Sequence, residues 1–178
     1  MAVTLNATLL FRMAWKHVDG GDLGRTEDSF KWEPRATIAT GTGANQANQN
    51  YYAEGTLSSA ATVDFDLAGS LSNAFGSTVT LTKIRAVGIY NVGADDGAGG
   101  YSVQASETLK VGGAGTNPIT SLFDGSGTAK SPIHSGGWWF MASPGDGYTV
   151  SAGSADTLRI TNAGTKTIQY RIVVMGVQ

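Results

Sequence analysis

His17 and His134 are the only imidazoles in this chain. Serine-type hydrolysis needs a nucleophile, a base and a carboxylate that orients the base. Ser135, His134 and Asp146 supply those three residue types. No Gly-x-Ser-x-Gly elbow surrounds any serine, so these residues read as exposed loop positions and no catalytic residue is expected. Asp19, Asp22, Glu27 and Asp28 offer hard oxygen ligands of the kind Ca²⁺ takes, without the spacing or the glycine of an EF-hand loop. Asp95-Asp96-Gly97 offers two more. Both groups read as solvated loops, and with no cysteine in the chain neither disulfides nor thiolate metal sites are available. Gly41 to Gln46, GTGANQ, begins like a phosphate-binding glycine loop but lacks the third glycine and any strand–helix–strand setting. No cofactor is expected.

Aromatic side chains are the stronger signal. Trp138, Trp139 and Phe140 are consecutive; on a strand Trp138 and Phe140 share one face and Trp139 takes the other. The outward face has three destinations: core packing on both sides, a subunit interface, where aromatics are enriched, or a sugar-stacking platform. Trp15, Phe30 and Trp32 lie among Asp, Gly and Arg in residues 12–35. These residues read as aperiodic, either a local loop plugging the edge of the fold or an extended arm that buries its rings on a neighbour. Trp15, Phe30, Trp32 and Trp139 are the candidate interaction residues.

The elements that must hold these residues read as strands. Val3, Leu5, Ala7, Leu9 and Phe11 alternate with polar residues, the period of a half-buried strand. Short strands are expected at 36–40, 51–57, 62–67, 101–105, 108–111, 138–142, 148–150 and 157–161. The last strand, with Ile168, Tyr170, Ile172 and Val174 inward and Gln169 and Arg171 outward, is expected to close a hairpin through Asn162-Ala-Gly-Thr165. The run from Thr78 to Asn91 changes phase, which a bulge or a bend near Thr82-Lys83 would reconcile. Leu67, Leu71 and Phe75 sit at helical spacing before Gly76, predicting one or two helical turns.

The 25 glycines among 178 residues are about twice the usual fraction. Glycine disfavours helices by about 1 kcal/mol per position and suits tight turns. The length fits one domain spanning 1–178, with 12–35 as a possible arm or long loop. The fold class expected is all-β, an antiparallel β-sandwich, jelly-roll-like by strand count, with an irregular N-terminal arm. A formal net charge of −2 argues against a nucleic-acid partner, which needs clustered Lys and Arg. No apolar run reaches the roughly 18–20 residues of a membrane span, and the N-terminus lacks a signal peptide's basic-then-apolar order, so synthesis in a cytoplasm is expected.

Residues 56–76, TLSSAATVDFDLAGSLSNAFG, continuing through IRAVGIYN at 84–91, resemble small virion-associated proteins of tailed bacteriophages. So do GGW at 136–138, SPGDGYTVSAGSADTLRITN at 143–162 and IQYRIVV at 168–174. The resemblance covers roughly 37–91 and 136–178 and brings no catalytic residues with it. It implies a virion structural protein made in the host cytoplasm, most simply a capsid decoration (cement) protein. Such a protein would bind the phage major capsid protein from outside the shell and form homo-oligomers, trimers or dimers. A tail-tube, tail-tip or baseplate component is the alternative, and a carbohydrate-binding or host-recognition module a second one.

Overall fold

The computed structural model of the chain describes residues 4–21 and 24–178, and every regular element among them is a strand. This is what a sequence rich in Gly and Thr favours. β1 (Ala7–Leu10) leads into a ribbon of two long strands, β2 (Met13–Gly21) and β3 (Gly24–Trp32), and the chain returns as β4 (Arg35–Thr40). β4 pairs antiparallel with β1 and, for two residues, parallel with β5 (Gln46–Ala47). There follow β6 (Gln49–Leu57), β7 (Thr62–Asp66), a small pair β8 (Leu71–Ser72) and β9 (Thr78–Val79), the long β10 (Lys83–Asp95) and β11 (Tyr101–Ser102). The remainder supplies β12 (Thr108–Gly112), β13 (Lys130–His134), β14 (Trp138–Ala142), β15 (Tyr148–Thr149), β16 (Thr157–Asn162) and β17 (Ile168–Val177). No helix of the described residues is long and apolar enough to cross a membrane.

Two antiparallel sheets form the anticipated sandwich. The front sheet runs β6-β17-β10, with β15, β14 and β11 lying end to end along the far edge of β10. The back sheet runs β13-β12-β16-β7. Leu57, Val87, Ile89, Ile168, Tyr170, Ile172 and Val174 of the front sheet meet Phe65, Leu109, Val111, Ile133, Leu158 and Ile160 of the back sheet in one contiguous apolar cluster. The register read for β17 holds: Ile168, Tyr170, Ile172 and Val174 are buried, while Arg171 is exposed and Gln169 half-buried.

Three local expectations are corrected. Residues 12–35 are not aperiodic. They contain the β2–β3 ribbon, paired from Met13 opposite Trp32 to Gly21 opposite Gly24. Residues 67–76 form no helical turn. Asn73 accepts from the Phe75 and Ser77 backbone N–H groups at 3.0 Å each and turns β8 back onto β9, a local side-chain bond that competes with helix. The phase change expected near Thr82-Lys83 is met by a bend at Thr82, with bulges beyond it at Arg85 and Val92. Residues 143–147 turn the chain after β14, whereas residues 162–165 are not the hairpin turn expected. The first is a loop between β14 and β15, which both run antiparallel to β10 along the same edge.

The second carries the chain across the sandwich, from β16 in the back sheet to β17 in the front one. Buried polar side chains enforce that crossing. Asn162 donates to the Leu57 and Lys166 carbonyls and accepts from the Gly164 N–H. The buried Glu107 carboxylate accepts from the Thr165 and Lys166 N–H groups and from the Thr165 hydroxyl.

Candidate interaction surface

The two outer faces of the sandwich differ in kind. On the back sheet, Arg159 and Asp64 stand directly opposite and pair through two 2.6 Å hydrogen bonds, with Lys110 and Thr161 opposite one another nearby. That face is ordinary solvated β-surface. The front sheet's outer face is set by register. Trp138, Tyr90, Arg171 and Glu54 lie in one row across β14, β10, β17 and β6. The next row is Phe140, Gly88, Val173 and Tyr52. Trp138 stacks on Tyr90 with ring centroids 4.1 Å apart, yet is 73% exposed; Phe140 is 50% and Tyr52 62% exposed. Because Gly88 has no side chain, the second row has a notch between Phe140 and Val173. A Cβ built there would lie 3.3 Å from Val173 and 3.4 Å from Phe140.

These rows floor a groove of about 720 Å³, whose rim is completed by Leu10 and Phe11 at the end of β1. Its charged lining is Arg171, which is engaged with Glu54 at 2.6 Å. The groove continues past Phe140 into a shallower hollow beside Pro34, Ala36 and Pro144.

The β2–β3 ribbon starts at this rim. Phe11 donates its N–H to the Pro34 carbonyl at 3.3 Å, closing the root, and its ring meets Trp32 edge-on at 5.4 Å. Period-two alternation then sorts the ribbon into two faces. One face carries Met13, Trp15, Phe30 and Trp32, with Trp15 stacked on its cross-strand partner Phe30 at 4.2 Å. The opposite side holds ion pairs: Lys16 with Glu27 at 2.9 Å and, at the root, Glu33 with Arg12 at 3.1 Å and with Lys31 at 2.7 Å. The Lys31 bond, against an opposing effect of burial, holds the Glu33 carboxyl below its ordinary pKa, with the charges of Lys31, Arg12 and Arg35 adding to the effect. The four apolar side chains of the aromatic face remain between 41% and 52% exposed. The ribbon is an amphipathic arm, with aromatic residues on one side of its root half, followed there by His17 opposite Asp28, and ion pairs on the other side.

No protein-family model, curated protein or solved structure matches this chain.

Of the four candidate interaction residues, Trp15, Phe30 and Trp32 converge on the aromatic face of the arm. Trp139 does not join them. It points inward, half-buried, and stacks on Phe123 at 5.7 Å against the core. The outward residues of β14 are Trp138 and Phe140, which sequence parity had placed on one face without saying which. Tyr52, Gly88, Tyr90 and Val173 were not singled out at all, since only the inter-strand register brings them together.

The hydrolytic residue types are not brought together. His134 Nδ1 lies 3.1 Å from the Thr108 hydroxyl, and Ser135 Oγ accepts from the Gln104 N–H at 3.0 Å. Asp146 lies in the loop beside Arg85, six residues along β10 from Asn91, to which the 136–137 turn is bonded; that is roughly 20 Å. The 95–97 carboxylates serve their own loop. Asp96 accepts from the Ala98 and Gly100 N–H groups, bonds that lower its pKa. Asp22 lies outside the described residues, as does the side chain of Asp19. Among the described residues no three His, Cys, Asp or Glu side chains are grouped to hold a metal ion.

Arg85 is a further polar group that sequence reading missed. It is buried and donates to the Gly43, Gln46 and Gly145 carbonyls at 2.8, 3.2 and 2.5 Å. It pins the 41–46 segment and the 143–147 loop to one end of the sandwich and so fixes the base on which β4 and the arm stand.

Proposed function

We propose that this chain is a non-enzymatic structural protein of a tailed-phage virion, a capsid decoration protein. On this reading it assembles with copies of itself and binds the major capsid protein on the outside of the shell, with no nucleic-acid or membrane partner. The observation that carries the reading is the amphipathic arm, whose aromatic face the described residues of its own chain leave about half exposed. Covering a Phe or Trp ring is worth about 2–3 kcal/mol, so such an arm is built to finish its packing on another protein. A two-stranded ribbon is also marginal by itself in water, and docking would supply the stability it lacks. The likeness of 37–91 and 136–178 to small phage virion proteins supplies the setting. Repetition by shell symmetry would turn modest contacts at each copy into tight attachment overall.

The test replaces residues 13–32 by a short Gly-Ser linker and measures both folding and incorporation into particles. The expected result is a folded sandwich that no longer joins the virion, with the wild-type chain lying at icosahedral positions on the capsid in a reconstructed particle. A wild-type chain absent from purified particles, or found only with the helical or axial symmetry of a tail, would overturn the capsid reading. So would a deletion that unfolds the sandwich, since the arm would then be part of the domain.

A further inference from the structure

We infer that the groove on the front sheet is the seat for the aromatic arm of a second copy of this chain, the two copies exchanging arms about a two-fold axis. The inference deepens the reading above, on which the protein acts as a homo-oligomer, by naming the partner of this surface. Its first support is matching chemistry within one sequence. The arm presents Met13, Trp15, Phe30 and Trp32 on one face, and the groove presents Tyr52, Tyr90, Trp138, Phe140 and Val173 around the notch at Gly88. Neither surface is fully covered by the described residues of its own chain, although arm and groove meet at Phe11.

The second support is geometry. Leu10 and Phe11 form the groove's rim and β2 begins two residues later. The arm therefore leaves from the edge of the site it resembles chemically. A strand of nine residues reaches roughly 30 Å, beyond its own rim. A two-fold axis near that rim brings each arm over the other copy's groove, and the interface is then the same patch on both copies.

Area is the third. Each large aromatic covers about 150–250 Å² when buried, and about half of that is still exposed on the arm and in the groove. Seating two arms in two grooves would cover on the order of 1,200–1,600 Å² in all, the size of a standard stable interface. Charge opposes it little: Lys16, Lys31 and Arg12 are paired with Glu27 and Glu33 within the arm and Arg171 with Glu54 in the groove, and the carboxylate on the aromatic face, Asp28, stands opposite His17 beyond the rings. A sugar fits the groove less well. Its hydroxyls would need many polar partners, and the side chains of the lining supply one already engaged guanidinium, two phenols and one indole N–H.

Sedimentation equilibrium on the full chain at micromolar concentration tests this. Three proteins are compared: wild type, the arm variant Trp15→Ser/Phe30→Ser and the groove variant Val173→Glu. Thermal unfolding of each variant checks that the sandwich is intact. The expected result is a wild-type dimer and at least about tenfold weaker association in each variant. Mixing the two variants should restore partial association, since one good arm can still enter one good groove. A wild-type monomer overturns the inference, as does a dimer that survives either variant with its sandwich intact. A monomer that gains arm protection only on addition of capsid shells would assign the arm to the shell, sinking arm exchange while leaving the virion reading standing. A dimer found in a protein absent from virions would do the reverse.

Discussion

Glu107 is buried under the 163–166 turn with both carboxylate oxygens accepting hydrogen bonds. Burial alone would raise its pKa. The bonds from the Thr165 hydroxyl and the Lys166 and Thr165 N–H groups, with the Lys166 charge, outweigh burial and leave it lowered. A carboxylate whose folded pKa lies below its unfolded one, about 4.3, contributes stability that is full above that value. That stability is lost as pH falls through the folded pKa. Denaturant unfolding followed from neutral pH into the acid range should therefore show a loss that is smaller in Glu107→Gln than in the wild type. The Gln variant should itself cost about 1–3 kcal/mol near pH 7, because its amide NH₂ would face N–H donors. Ile172→Ala should cost about 2–4 kcal/mol by opening the core, and Gln169→Ala less than about 1 kcal/mol; equal costs would show that the β17 register is wrong. Positions such as Ile172 were legible because alternation is local. Glu107, Asn162 and Arg85 were not, because their partners are backbone groups brought from 39 to 105 residues away or set by a loop's path.

At the scale of elements, most strands of the sandwich were legible from period-two patterning and turn residues, and β14 was read at its full extent. Connectivity was less so. The stretch Asn162 to Thr165 has the composition of a hairpin turn, yet β16 and β17 belong to opposite sheets, since each strand's apolar parity suits either sheet of one core. The arm was missed for a related reason. Met13, Trp15 and His17 alternate with Ala14, Lys16 and Val18, so neither parity is cleanly apolar or polar, and only pairing with Phe30 and Trp32 reveals an aromatic face. Because both faces of the arm are exposed, its stability is expected to be separate from that of the sandwich. In isolated, dilute protein the arm amides should exchange with deuterium orders of magnitude faster than those of β17. Trp15→Ala should speed the arm further without moving the thermal midpoint of the sandwich. A shift of several degrees would mean that the arm packs on the domain.

Across the whole molecule, polarity is divided by face. The back sheet's outer surface is ion-paired and Thr-rich, whereas the front sheet's carries Tyr52, Trp138, Phe140 and Val173 in the open. Contiguous exposed apolar area beyond a few hundred Å² marks an interaction surface, so the sandwich has one side for solvent and one for a partner. Sequence parity showed that Trp139 and the pair Trp138 and Phe140 take opposite faces of β14, with core packing on both faces left open. It could not say which face points outward, since the choice depends on where the other sheet lies. The division also sets how association should respond to conditions. The arm's charges are balanced within the arm, and the chain's formal net charge is only −2, so little of the contact is electrostatic. Raising salt to about 0.5 M, where screening extends only a few ångströms, should leave the dissociation constant of the dimer within about threefold. Cooling should weaken association, and calorimetry of dilution should give a negative heat-capacity change on assembly, the mark of apolar burial. An interface held by Lys and Arg would behave oppositely, loosening steeply with salt and showing little heat-capacity change. The salt series alone therefore distinguishes an aromatic arm seated in an apolar groove from a contact made through the charged side of the arm.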